Sequence, residues 1–260
     1  MSRLLYTCAY DGLAYCGWQS QRGGNSVQDT IETAMARILK GAVRIAASGR
    51  TDAGVHAHAQ CFHADVPESC CMSAENWVAA LNAHLPADIR IMHVCRVADA
   101  FHARFDAVGK EYEYLISRAA VLSPFMRGRV WHVPHGFDAA ALAEALRVYE
   151  GTHDFRRFAA NRGNEPAEPP VDFYMRTIFS ATLHEEGELL RLRFHGNGFM
   201  YRMVRLLVGT AHQVARGRMS HAGLAAMLDE PLGAKTRYCA PAEGLYLNRV
   251  FYEKMNHPCP

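Results

Sequence analysis

One pattern constrains this chain more than any other: the order β-α-β-β-α-β can be read twice along it from hydrophobic periodicity. In the first pass, Leu4 to Tyr10 is rich in strand formers and stops at the turn signal Asp11-Gly12. Ser26 with Asp29 resembles a capping box, and Val27, Ile31, Ala34, Met35, Ile38 and Leu39 then recur at helical spacing. Val43 to Ala47 and His58 to Val66 read as strands on either side of a glycine-containing loop. Ser73 opens a second helix with Trp77, Val78, Leu81 and Leu85 on one face, and Ile89 to Val97 closes the half as a strand.

The second pass begins with the alternating strand Lys110 to Ser117. Asp138 caps a helix carrying Leu142, Leu146 and Tyr149 that stops at Gly151. Arg176 to His184 and Glu188 to His195 form a hairpin around Gly187, and Met200, Met203, Val204, Leu207, Ala211 and Val214 mark a long helix. A short helix from about Ser220 and a strand from Leu245 to Tyr252 complete it. The break falls near Asp106 to Gly109, giving halves at residues 1 to 107 and 108 to 260, and the cleft between two such ferredoxin-like halves is the default site. Between Asn161 and Val171 a proline-rich run predicts a surface excursion.

Composition narrows the function classes. No apolar run is long enough to cross a bilayer, the opening residues turn polar before a secretory core forms, and the eight cysteines are scattered. These features predict a cytoplasmic chain with reduced thiols and no membrane. A formal charge of +2 does not by itself imply nucleic acid, but four lysines stand against 24 arginines, whose planar forks suit phosphate and bases. Codon bias accounts for that usage equally well. Leu190 to Leu228 carries Arg191, Arg193, Arg202, Arg205, Arg216 and Arg218 without an acid, and Leu115 to Phe137 carries Arg118, Arg127 and Arg129 likewise. Either a phosphate-binding surface or an ordinary solvated face produces such stretches.

The densest cluster of reactive types is Ser48-Gly49-Arg50-Thr51-Asp52-Ala53-Gly54-Val55-His56. Its glycines permit a tight turn that lifts the Asp52 carboxylate onto a loop, and Arg50 supplies a nearby cation favouring the anionic form that a nucleophile needs. A simple turn explains the same residues at least as well. His56, His58 and His63 raise a metal site, but no acidic partner motif or cysteine spacing accompanies them, so none is expected. In the strand Lys110 to Ser117, Tyr112 and Tyr114 point one way and Glu111 and Glu113 the other; such tyrosines are ordinarily core, and one beside a cleft would stack on a base.

The run Gly49-Arg50-Thr51-Asp52-Ala53-Gly54-Val55-His56-Ala57 closely resembles the signature of the tRNA pseudouridine synthase A family, whose aspartate is the catalytic nucleophile. Other segments match it in order: Tyr10-Asp11-Gly12, Gly17-Trp18-Gln19, Ser26-Val27-Gln28, Phe101-His102-Ala103-Arg104-Phe105, Tyr112-Glu113-Tyr114, Met203-Val204-Arg205 with Gly209, and Glu243-Gly244-Leu245-Tyr246-Leu247. The resemblance implies an α+β fold of two ferredoxin-like halves forming one extended mixed, largely antiparallel sheet, with helices on one face and a central active-site cleft. It implies a homodimer acting on the anticodon stem-loop of tRNA, at positions 38, 39 and 40, with no metal and no small-molecule cofactor. By the same resemblance Asp52 is the nucleophile, Tyr112 stacks on the uracil and helps move its proton, and Arg205 is the basic partner of Asp52. Arg50 reaches the RNA near the extruded base, Leu245 lines the pocket, and Arg104, Arg202, Arg216 and Arg218 are expected to bind RNA. The chain departs from the family in having Ala59 before Gln60, where glycine is usual, and in a longer loop at 161 to 171. Two other readings remain: a non-catalytic RNA-binding protein of tandem ferredoxin-like domains, although the RNP1 pattern is absent, and a zinc hydrolase using the histidines.

Overall fold

The computed structural model describes residues 1–163, 166 and 169–253, so the proline-rich excursion lies in part outside the described residues. The fold is α+β and its described residues divide into two compact units, those of 1–108 with 246–253, and those between 109 and 245. In chain order the first segment holds β1 (Ser2–Tyr10), α1 (Val27–Leu39), β2 (Ala46–Ala47), β3 (His56–Val66), α2 (Ala74–His84) and β4 (Ile89–Arg96). The second holds β5 (Ala107–Ser117), β6 (Trp131–His132), α3 (Ala139–Arg147), β7 (Gly151–Asp154), β8 (Met175–Glu186), β9 (Leu189–Gly196), α4 (Met203–Ala215) and α5 (His221–Asp229). The last strand, β10 (Leu245–Tyr252), runs back into the first unit.

In the first unit the strands lie in the order β4-β1-β3-β10, with β2 on β3. The caps read from sequence form: Ser26 Oγ accepts from Asp29 N (3.0 Å) and Ser73 Oγ from Asn76 N (3.2 Å), each satisfying a helix N–H that would otherwise lack a partner. Tyr6 of β1 stacks on Phe62 of β3 at 4.9 Å, and Trp77 of α2 meets Tyr6 edge-on. Trp18 packs on Phe62 from a loop. Burial of an apolar ring such as Phe62 contributes roughly 1.5–3 kcal/mol.

In the second unit the strands lie in the antiparallel order β5-β9-β8-β7, with β6 parallel to β5. Helices α3 and α4 pack together, and beyond α3 the buried Tyr149 donates its hydroxyl to Leu207 O at 2.9 Å. Tyr112 and Tyr114 share one face of β5, opposite Phe194 and Leu192 of β9.

Several elements differ from the sequence expectation for local reasons. Strand β2 is confined to two residues because Ile45 N donates to Glu32 Oε1 (3.1 Å) instead of to the sheet. Helix α4 begins at Met203 and not near Met200, since Arg202 adopts a left-handed backbone (φ 57°) that a helix cannot include. The short strands β6 and β7 carry too few residues to show a period. Sequence order places β10 last in the second half, yet it pairs in parallel with β3, Tyr246 opposite His56 and Leu247 opposite Ala57.

Two histidines are buried without the solvation that a charged ring needs. Burial, helped by Arg3 and His102, pushes His63 down to about 4; burial, helped by Arg216 and Arg218, does the same to His212, neither of whose ring nitrogens has a hydrogen-bond partner among the described residues. Unfolded imidazoles titrate near 6.5, so between pH 6.5 and 4 the unfolded chain binds more protons than the folded one. This contribution to stability is present above about pH 6.5 and lost as pH falls toward 4. Urea unfolding at pH 7.5 and 4.5 should show a loss of roughly 2–3 kcal/mol per imidazole, and His212→Phe should remove its share of that slope.

Candidate active site

Arg50 and Asp52 lie on the loop joining β2 to β3, and that loop is fixed at both its stem and its tip. At the stem one buried amide does most of the tying: Gln60 Oε1 accepts from Ser48 Oγ (2.7 Å) and Cys61 N (3.1 Å), while Gln60 Nε2 donates to Gly49 O (3.0 Å). Ser48 N also donates to Cys61 O at 2.8 Å. At the tip, Trp18 N donates to Thr51 O (3.1 Å), Gly54 N to Tyr15 O (3.4 Å) and Val55 N to Asp52 O (3.2 Å). The Tyr10 and Thr51 hydroxyls are 2.8 Å apart, both buried.

Tyr15 and Trp18 come from the turns after β1 and Tyr10 is its last residue, and the approach is very close. A β-carbon on Gly12 would stand 1.9 Å from Val55 O, and one on Gly17, whose φ is +103°, would stand 2.6 Å from Thr51 O. Only glycine fits either position. Asp52 itself is half-buried at the crest of the loop, and Arg50 is exposed, its Nε donating to Gln19 Oε1 at 3.0 Å. The chain therefore presents a carboxylate and a guanidinium, two residues apart, from backbone that cannot drift.

The remaining expected residues are distributed as follows. Tyr112 is buried on β5 and meets Phe199 edge-on at 5.2 Å. Arg205, in the first turn of α4, donates through Nε to Ala240 O (2.8 Å), while Ala240 N donates to Arg205 O (3.0 Å), so the guanidinium plane is held by a loop. Leu245 is buried at the start of β10, one residue before Tyr246, which pairs with His56. Arg104 is exposed beside the Phe105 ring (5.6 Å), and Arg202 lies over Tyr201 (5.0 Å). Arg216 and Arg218 are exposed just past α4.

The acid-free runs of the sequence are not all acid-free in space. Arg191 pairs with Glu113 and Glu186, Arg193 with Glu113, and Arg118 with Glu185. Among the described residues Arg202, Arg216 and Arg218 make no such pair, which leaves them as the cations of the run most suited to phosphate. The three histidines weighed as metal ligands do not converge on one site: His56 and His58 both stack on Tyr246, while His63 faces His102. Among the described residues no group of three or more His, Cys, Asp or Glu side chains could hold a metal ion, and no helix is long and apolar enough to cross a membrane. Sequence reasoning gave no role to Gln60, Gln19 or Gln28; their only signal was a place inside or beside the family-like segments.

Glycine-crossed backbone carrying Arg-x-Asp, joined in one chain to a helix with exposed arginines, has the makings of an RNA-modifying enzyme. The sequence model of the family described as tRNA pseudouridine synthase matches residues 7–106 and 145–253, and the chain belongs to that family. Curated relatives carry the more particular description tRNA pseudouridine synthase A. The protein from Akkermansia muciniphila is 48% identical over 97% of this chain and 96% of its own length; that from Geobacillus kaustophilus is 43% identical over 96% and 95%, and that from Neisseria gonorrhoeae 39% over 96% and 92%. Asp52, Arg50, Arg104, Arg202, Arg205, Arg216, Arg218 and Leu245 fall within the matched residues, and Tyr112 falls in the interval between them.

Two substitutions test the loop's construction. Gly17→Ala should lower the unfolding free energy by roughly 2–4 kcal/mol, since it adds a clash to an unfavourable backbone angle. Gln60→Leu should cost about 2–4 kcal/mol by stranding Ser48 Oγ, Cys61 N and Gly49 O in the interior. Denaturant titration of both variants checks the pair, and a loss below about 1 kcal/mol in either would contradict the close packing described.

Proposed function

We propose that this chain isomerises uridine to pseudouridine in the anticodon stem-loop of tRNA, at positions 38, 39 and 40, working as a cytoplasmic homodimer with the Asp52 carboxylate as nucleophile. The observation that carries the reading is the placement of the family's Gly-Arg-Thr-Asp segment on a loop anchored at stem and tip, with Asp52 at its crest.

The reaction breaks the C1′–N1 bond and forms C1′–C5; C5 gives up its proton and N1 gains one, so atoms and electrons balance without an oxidant or reductant. The target base must first leave its stack, at a cost of a few kcal/mol, and an aromatic face that receives it offsets part of that cost. Tyr112 supplies the face and assists the proton's departure from C5. Asp52 starts the exchange, by addition to the uracil ring, by addition to the sugar, or by abstracting a proton to assist loss of the base; all three routes need an anion. Arg205, its plane fixed by Ala240 O, is the cation that favours this anion where Leu245 excludes water. Arg50 holds the RNA next to the extruded base, and Arg104, Arg202, Arg216 and Arg218 neutralise phosphates.

Asp52→Asn keeps the shape of the side chain and removes its charge. It should lower pseudouridine formation at least about a thousandfold while tRNA affinity stays within roughly threefold of wild type. Base-resolved detection of pseudouridine in tRNA, alongside a binding titration, checks both halves; turnover near wild type would reject the assignment.

A further inference from the structure

A line of hydrogen-bonded side chains runs inward from Arg50. Arg50 Nε donates to Gln19 Oε1 (3.0 Å), Gln19 Nε2 to Gln28 Oε1 (2.8 Å), and Gln28 Nε2 to Glu32 Oε1 (2.8 Å). Its two ends set its direction. A guanidinium can only donate, so Gln19 must turn its oxygen to Arg50; a carboxylate can only accept, so Gln28 must turn its nitrogen to Glu32. Each carboxamide is then locked, because flipping either one would set donor against donor or acceptor against acceptor.

The inner end is firmly held. Gln28 and Glu32 stand one turn apart on α1, Gln28 is 7% exposed, and the Glu32 side chain is 12% exposed. Glu32 also accepts from Ile45 N (3.1 Å) and pairs with Arg44 Nη1 (3.1 Å), and Ser20 N donates to Gln28 Oε1 (3.2 Å). Burying the Gln28 carboxamide and most of the Glu32 carboxylate, with Gln19 half-buried beside them, is costly compared with an apolar filling. The loop does not need them to stay in place, since Gln60 ties its stem and the Thr51 and Gly54 bonds to Trp18 and Tyr15 tie its tip. The one atom the line reaches on the loop is Arg50 Nε.

We propose that Gln19 and Gln28 are positioning residues that orient the Arg50 guanidinium for the RNA beside the target uridine. The proposal rests on the reading of Arg50 as an RNA contact. Gripping a guanidinium by its Nε edge fixes the plane in which its two terminal amino groups present their N–H bonds, which is the geometry a phosphate or base carbonyl meets. Arginine side chains carry about 2 kcal/mol of rotamer freedom, and a bond that helps order one beforehand is worth up to roughly a 10- to 30-fold gain in rate.

The test is a double-mutant cycle on full-length protein and intact tRNA, reading single-turnover rate at saturating enzyme, tRNA affinity and the unfolding midpoint. Gln19→Leu should slow the step roughly 10- to 30-fold when Arg50 is present and by less than about twofold when Arg50 is already Ala. Gln28→Leu should act in the same Arg50-dependent way. Gln19→Glu, which still offers an oxygen to the guanidinium, should be faster than Gln19→Leu. If Arg50→Ala alone leaves rate and affinity unchanged, the reading of Arg50 as an RNA contact fails. If Arg50→Ala is slow but Gln19→Leu matches wild type, or the two losses multiply in the double variant, the positioning role is overturned while the reading of Arg50 stands.

Discussion

Between Gly12 and Val55, and again between Gly17 and Thr51, two backbones approach so closely that a β-carbon on either glycine would overlap a carbonyl oxygen. Much of the candidate site depends on that crowding. It joins the turns after β1 to the loop before β3, which are some forty residues apart in sequence, and it lets peptide groups bond directly across the gap. A carboxylate placed on such a loop, as the half-buried Asp52 is, stays reachable while its backbone is as fixed as a core residue's, a combination that chemistry at a defined atom requires. The cost is borne by sequence choice, since neither position tolerates any other side chain.

Buried polar groups extend the same logic. Gln60 spends both ends of its amide on the loop's stem, and Gln28 and Glu32 carry order outward to Arg50. On β5, Glu113 is almost fully buried yet paired with Arg191 and Arg193, so the strand that shows Tyr112 on one face has its opposite face fixed by charge. That pairing also sorts the arginines: those of β9 are committed to acids, while Arg202, Arg216 and Arg218 stay exposed on α4's flanks. Among the described residues, the buried groups left without partners, the Tyr6 hydroxyl, Trp77 Nε1 and both nitrogens of His212, belong to cores and not to the loop. Their lack of partners is tolerable because each is neutral, which for His212 means a ring that resists protonation.

The elements with a long period were legible from sequence: α1, α2, α3 and α4, and the strands β1, β3, β5, β8 and β9, all fall close to where the hydrophobic pattern and the Ser26, Ser73 and Asp138 caps put them. The segment holding Arg50 and Asp52 was legible too, because its residue types are unusual together and match a family signature over nine positions. What failed was local in a different sense. Two-residue β6 and four-residue β7 have no period to read, and β2 lost most of its length to a side chain thirteen residues away, through the bond from Ile45 N to Glu32.

Sequence alone therefore determined the helices and long strands, the chemistry available on the Asp52 loop and the family, since these depend on neighbours along the chain or on a contiguous motif. Tertiary structure decided the rest. It set β10 beside β3, ranked the arginines by whether an acid from a distant strand reached them, gave Gly17 and Gln60 their place as supports of the loop, and joined Gln19 and Gln28 into a line that ends on Arg50. The reason is the range of the interactions: periodicity and capping act within a few residues, whereas parallel pairing, ion pairs and amide relays join atoms that only folding brings within 3 Å of one another.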